Sequence, residues 1–147
     1  MQSIARRLGV TAAIVVGVFA LQACGGTAGR LQVGDCFDEP TGAEDTVLDV
    51  QSQPCTEPHD AEVFFVGDYA PSSETYPGDE QFRAFFETAC TAAFNTYTGL
   101  DFVTDPTYDM SAYTPTVERW NDDGDRKVIC YAVRLDQEKS PTSIRKL

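Results

Sequence analysis

The chain is poor in basic residues, has a single histidine, and lacks the motifs of the common nucleotide-binding enzymes. Only 11 Lys and Arg stand against 23 Asp and Glu, for a net charge of −12. This balance argues against nucleic acid as a partner, because phosphate binding depends on cationic side chains. Neither a Walker-type nor a dinucleotide-binding glycine pattern occurs. With 147 residues, the chain is also too short for a two-domain enzyme.

The apolar run near the amino terminus is too short to cross a bilayer. Two arginines, at 6 and 7, precede an uncharged run of 14 residues, 8–21, whereas a transmembrane helix needs about 20 residues. These are the proportions of a secretory signal peptide. The run ends in Leu21-Gln22-Ala23-Cys24, which resembles a bacterial lipobox. We therefore predict cleavage before Cys24 and a diacylglycerol on its sulfur; a plain secretory signal and an uncleaved anchor are the alternatives.

The cysteine count agrees with lipidation. Five cysteines leave one over in an exported protein, and the four that remain after Cys24 are expected to form two disulfides in an oxidising exterior. Three pairings are possible, and the sequence does not choose among them. We favour Cys36–Cys55 with Cys90–Cys130, because each pair then brackets one structural unit. A zinc site is the alternative, but no C-x-x-C pair exists, so we expect neither a metal nor a cofactor.

The pattern of apolar residues predicts an α+β fold. Residues 61–66 are rich in branched and aromatic side chains, which is typical of a strand. Residues 82–97 repeat apolar side chains at helical spacing, and Gly99 follows as a natural stop. Residues 110–120 and 127–134 are predicted to form an antiparallel hairpin. We expect a small antiparallel sheet with one main helix packed on it and two disulfides.

The composition divides the chain into four parts. We predict a signal peptide over 1–23, a lipidated tether over 24–32, one domain over 33–136 and a tail over 137–147. Shorter strands are expected at 31–37 and 47–50. Acids dominate the first half of the domain, whereas six of the last 22 residues are basic. The acidic surface is interpreted as a source of solubility and of repulsion from anionic lipid.

His59 is the first residue to consider for chemistry, because it lies beside Asp60 and close to Glu62. A histidine paired with a carboxylate can act as a base or bind a metal. Hydrolysis would need a nucleophile, however, and no serine lies in a G-x-S-x-G pattern. A structural role for His59 is therefore favoured over binding, and binding over catalysis.

Several short motifs occur in one order along residues 33–134. They are Val33-Gly34-Asp35-Cys36-Phe37, Pro58-His59-Asp60-Ala61-Glu62, Phe94-x-x-Tyr97-x-Gly99, Trp120 and Gly124-Asp125-Arg126. Together they resemble the septum formation family, small exported domains and lipoproteins of actinobacteria. The resemblance implies an extracytoplasmic setting and a link to cell division, without a defined activity. The chain departs from the family in a turn at 120–124 that is one residue longer and in a tail that lacks Gly-Ser.

These observations favour a membrane-anchored, non-catalytic interaction module at the cell envelope. The lipid on Cys24 would hold it at the membrane, and a protein or cell-wall component would be its partner. The predicted contact surface combines two turns, with His59 and Asp60 on one and Trp120 and Arg126 on the other. The alternatives are a wall-modifying enzyme that uses His59 and a lipoprotein that binds a small ligand or metal. An enzyme would need His59 and carboxylates to converge in a pocket.

Overall fold

A computed structural model describes residues 28–40, 50–69 and 74–147. The predicted signal peptide, Cys24 and most of the strand expected at 47–50 lie outside these residues. Five strands are present in the described part of the chain: β1 (Cys36–Phe37), β2 (Ser52–Gln53), β3 (Ala61–Asp68), β4 (Tyr108–Tyr113) and β5 (Lys127–Arg134). Of the strand expected at 31–37, only the last two residues form a strand, after a short 3₁₀ turn at Ala28–Arg30.

The strands form one antiparallel sheet in the order β2-β1-β3-β5-β4. The two longest strands, β3 and β5, lie at its centre and run from the pair Ala61–Val133 to the pair Asp68–Lys127. Both are rich in branched and aromatic residues, which suit a pleated surface packed on two sides. The predicted small antiparallel sheet is confirmed.

One helical unit packs on the sheet. It consists of α1 (Asp79–Phe85), a π-helical turn (Phe86–Cys90) and α2 (Thr91–Thr98), which we call the main helix. Acidic residues occupy its first turn, where the helix dipole favours negative charge. It ends at Gly99, whose φ of 74° is left-handed, a conformation that glycine adopts without steric cost. The predicted helix and its stop are confirmed.

The expected strand over 110–120 is wrong beyond Tyr113. The chain forms instead a third helix, α3 (Val117–Asp122), between β4 and β5. The Thr116 hydroxyl accepts a hydrogen bond from the Arg119 amide at 3.3 Å, which caps the first turn. Pro115 just before this cap cannot donate a sheet hydrogen bond. The pairing of β4 with β5 is antiparallel as expected, but a helix connects them rather than a tight turn.

Apolar side chains form a cluster on each side of the sheet. The cluster under the main helix contains Phe64, Phe82, Cys90, Phe94, Met110, Trp120, Val128, Cys130 and Ala132. The cluster on the opposite side contains Ala28, Leu31, Phe37, Val50, Ala61, Val63, Ile129 and Tyr131. The central strands therefore contribute to both, because neighbouring side chains on a strand point to opposite faces.

The favoured disulfide pairing is the one observed. Cys36–Cys55 joins β1 to the turn before β3, and Cys90–Cys130 joins the main helix to β5. Both sulfurs of the second pair are fully buried in the cluster under the helix. This pair therefore fixes the helix on the central part of the sheet.

The last 11 residues, 137–147, pack back onto the domain. Gln137 has a left-handed φ of 59° at the turn after β5. Ser140 and His59 then exchange two backbone hydrogen bonds, at 2.8 and 3.1 Å. Further along, the Lys146 amide donates to the Tyr97 carbonyl at 2.9 Å. The segment thus crosses from the start of β3 to the end of the main helix, and we call it the C-terminal strap.

Removing the buried disulfide should cost more stability than removing the other. In the chain-entropy model, loops of 40 and 19 residues correspond to about 4 and about 3 kcal/mol respectively. Loss of packing adds to the cost for C90A/C130A, since both sulfurs lie in the core. Urea unfolding of the two double variants measures the difference. A larger loss in C36A/C55A would contradict this assignment of the core.

Candidate functional site

The two halves of the predicted contact surface lie at opposite ends of the central strand pair. His59 and Asp60 directly precede Ala61 at the start of β3. Arg126 precedes β5, and its carbonyl accepts a hydrogen bond from the amide of Tyr69, just after β3 ends. The length of β3, roughly 25 Å at about 3.3 Å per residue, separates them. The expectation of one surface built from both turns is therefore wrong, because the antiparallel pairing sends the turns to opposite ends.

His59 is held inside the domain. Its side chain is buried, with 3% of the residue exposed, and the ring Nδ1 donates to the Glu57 carbonyl oxygen at 2.8 Å. Asp60 is partly exposed and accepts a hydrogen bond from the Glu39 amide at 2.7 Å. Both residues therefore connect the start of β3 to another segment. His59 holds the C-terminal strap through its backbone, and Asp60 holds the segment after β1 through its side chain.

Trp120 and Arg126 also have structural partners. Trp120 is buried, packs against three aromatic rings, and donates from Nε1 to the Glu74 carbonyl at 3.2 Å. The Arg126 guanidinium lies 3.6 Å from the centre of the indole ring and donates to the Trp120 carbonyl at 2.9 Å. This cation–π contact closes the end of the core. Arg126 is the more accessible of the two residues.

Glu62, which the sequence analysis considered only as a possible carboxylate partner of His59, is a buried carboxylate in the interior of the domain. It is 2% exposed, yet among the described residues no cationic side chain forms an ion pair with it. Its Oε1 accepts hydrogen bonds from the Tyr97 hydroxyl at 2.6 Å and the Ser143 hydroxyl at 2.7 Å. Its Oε2 accepts one from the Ile144 amide at 2.8 Å. Three donors thus replace water around the carboxylate.

Glu62 connects three separate parts of the fold. It stands on β3, Tyr97 on the main helix, and Ser143 and Ile144 on the C-terminal strap. Burial and the hydrogen bond to Glu62 raise the pKa of the Tyr97 phenol, so the phenol stays a donor at neutral pH. On the other side, a carboxylate oxygen of Glu62 lies within 4.8 Å of both sulfurs of the Cys36–Cys55 disulfide. We call Glu62 with these donors the Glu62 site.

One signal in the sequence points to this site. Glu62 is the only charged residue in the apolar run Ala-Glu-Val-Phe-Phe-Val at 61–66. Side chains two positions apart share a face of a strand, and the residues that share this face within the run, Phe64 and Val66, are both apolar. The pattern therefore indicates a buried acid that needs hydrogen-bond donors. The residues that supply these donors cannot be identified from the run alone.

His59 and Glu62 both line a shallow pocket at this end of the sheet. Its other polar lining residues are Asp60, Tyr108, Arg134, Ser140 and Thr142, and its empty volume of about 250 Å³ includes space open to solvent. The carboxylate of Glu62 is already engaged by the strap and the main helix, and Arg134 forms an ion pair with Asp136. The pocket therefore offers few free polar groups to a ligand.

Replacing Tyr97→Phe removes one donor from the Glu62 site. We expect unfolding at neutral pH to become easier by about 1–3 kcal/mol, the cost of leaving a buried acceptor under-satisfied. Urea unfolding measures the effect, and Tyr76→Phe is the control, because its hydroxyl bonds a carbonyl at 3.3 Å in another part of the fold. Equal losses in the two variants would contradict a special role for the Glu62 site.

The same variant predicts a pH effect. The pKa of Tyr97 is raised above the ordinary value of 10.0 in the folded state. Its stabilising contribution is therefore complete below pH 10 and is lost as the pH rises from there through the folded pKa. Above pH 10, the free energy of unfolding of the wild-type domain should fall more steeply with pH than that of Y97F. The difference in slope should correspond to at most one proton, the one that Tyr97 loses on unfolding. Parallel pH profiles from urea unfolding would refute this.

Comparison with known proteins places this structure in a family. The model of a protein family described as "Septum formation" matches residues 27–146. The match includes both disulfides, the Glu62 site and nearly all of the C-terminal strap. No curated protein and no solved structure matches the chain. The chain belongs to the septum formation family, and this membership supports a role related to cell division.

Proposed function

We propose that the protein is a lipid-anchored module on the outer face of the cell membrane, which acts in septum formation by binding a partner. The observation that carries this proposal is the sequence Leu21-Gln22-Ala23-Cys24 at the end of an apolar run, three residues before the family match begins. Two disulfides among the four other cysteines support an oxidising location. In the described part of the chain, no helix is long and apolar enough to cross a membrane.

The link between lipid and domain would be short. Four residue steps separate Cys24 from Ala28, which is buried in the core, and a fully extended chain spans at most about 14 Å over that length. Lys127 donates to the Gly29 carbonyl at 3.0 Å, so the chain enters the domain at the start of β5. An anchor on Cys24 would hold this end near the lipid and leave the opposite end, with His59 and the strap, facing the cell wall.

The contacts of the candidate residues favour binding over catalysis. His59 is buried, with 3% of the residue exposed, and the nearby Glu62 carboxylate already accepts three hydrogen bonds. A general base needs a free path to the proton it removes. At the wall-facing end, Leu100, Val103 and Leu135 are 38, 82 and 55% exposed. These aliphatic side chains suit contact with a protein partner better than with a small ligand.

Removing the lipidated cysteine should release the protein from the membrane. In the native host, Cys24→Ala should abolish incorporation of labelled fatty acid and shift the protein from the membrane to the soluble fraction. Thr27→Ala, which leaves the four residues of the lipobox intact, is the matched control and should behave as wild type. If C24A stays in the membrane fraction as wild type does, the apolar run is itself the anchor and the lipoprotein assignment fails.

Contact with the partner should occur at the wall-facing end. A photo-reactive amino acid at Val103, 82% exposed, should cross-link to a discrete partner in dividing cells. The same group at Val117 on α3, 49% exposed and at the anchor end, is the control. Stronger cross-linking from Val117 would reverse the proposed orientation, and no discrete product from either position would contradict a binding function.

A further inference from the structure

The two disulfides differ in their access to solvent. Cys90 and Cys130 are both 0% exposed and lie in the core under the main helix. Cys36 is also 0% exposed, but its partner Cys55 lies in a turn before β3 and is partly exposed. Of the four disulfide cysteines, Cys55 is therefore the one that a thiolate from solution can reach at the surface of the domain. Access of this kind is one of the factors that set the rate of thiol–disulfide exchange.

We propose that Cys55 is a site of thiol–disulfide exchange with a low-molecular-weight thiol. The external thiolate attacks Sγ of Cys55 and forms a new sulfur–sulfur bond to it. The Cys36–Cys55 bond breaks, and its electron pair leaves with Cys36 as a thiolate, which then takes a proton from water. We place the attack at Cys55 because the other three disulfide cysteines are 0% exposed, whereas Cys55 is partly exposed.

Glu62 restrains this exchange. Cys36 lies directly opposite Glu62 in the pairing of β1 with β3, and a carboxylate oxygen is within 4.8 Å of its sulfur. The leaving thiolate would be formed in a buried place beside a carboxylate, where like charges repel strongly. Thiols with a higher pKa leave more slowly. The Cys36–Cys55 disulfide can therefore be attacked from solution, but the charge of Glu62 slows the exchange. Cys90–Cys130 is protected by burial alone.

Reduced glutathione tests the site in the folded, oxidised protein. After acid quenching, peptide mapping by mass spectrometry should find the first mixed disulfide on Cys55, with Cys90–Cys130 still intact. A first adduct on Cys36, or opening of Cys90–Cys130 before Cys36–Cys55, would overturn the proposal. This result needs no variant, so it does not depend on the folding of a mutant.

Two variants separate the charge of Glu62 from its packing. Glu62→Gln keeps the size of the side chain and removes the charge, and should accelerate formation of the adduct at least about fivefold, since the leaving thiolate no longer forms beside a like charge. Ser143→Ala is the matched control, because it removes one hydrogen bond from the same carboxylate but leaves the charge in place. Its rate should stay near that of wild type. Equal acceleration in both variants would show that a loosened strap controls the rate, and would refute the role of the charge.

Discussion

A carboxylate in the interior of a small domain has to be surrounded by donors, because water cannot reach it, and this requirement organises the fold around Glu62. Its donors come from the main helix and from the C-terminal strap, which are 35 residues or more away along the chain. Removing any one donor leaves a buried acceptor short of a partner, whereas an apolar core residue has no such directional demand. The site therefore specifies where helix, sheet and strap meet, in addition to how tightly they pack.

The two disulfides and the Glu62 site each stabilise a different part of the domain. Cys90–Cys130 fixes the main helix to β5 deep in the apolar cluster. Cys36–Cys55 ties the short strand β1 to the turn before β3, beside Glu62. A strand of two residues forms few hydrogen bonds with its neighbours, so a covalent link is a sound way to keep it in register. Both sets of contacts are concentrated on the two central strands, which leaves the loops at each end of the sheet free to differ in their roles.

Much of the fold follows from local patterns. The branched and aromatic residues at 61–66 predict β3, and the helical spacing of apolar residues at 82–97 predicts most of the main helix, because both patterns are local. The segment 110–120 was interpreted wrongly beyond Tyr113, where the hydroxyl cap at Thr116 outweighs the weak strand pattern. Each candidate residue has a specific hydrogen-bond partner, and this holds for His59, Asp60, Trp120 and Arg126. Their distribution over two ends depends on strand direction, which no local motif encodes.

The amino-acid sequence by itself determined the family and the small antiparallel sheet with its helix, because both follow from the short-range order of residue types. The same kind of local pattern predicts the signal peptide and its lipobox. Only the tertiary structure decided which cysteines pair, which of these cysteines is partly exposed, and which residues donate hydrogen bonds to the buried Glu62. Those facts depend on contacts between residues distant in the chain. Such contacts are selected by the packing of the whole domain. The Tyr97 and Ser143 hydroxyls can donate to the same carboxylate only when β3 brings Glu62 within reach of both.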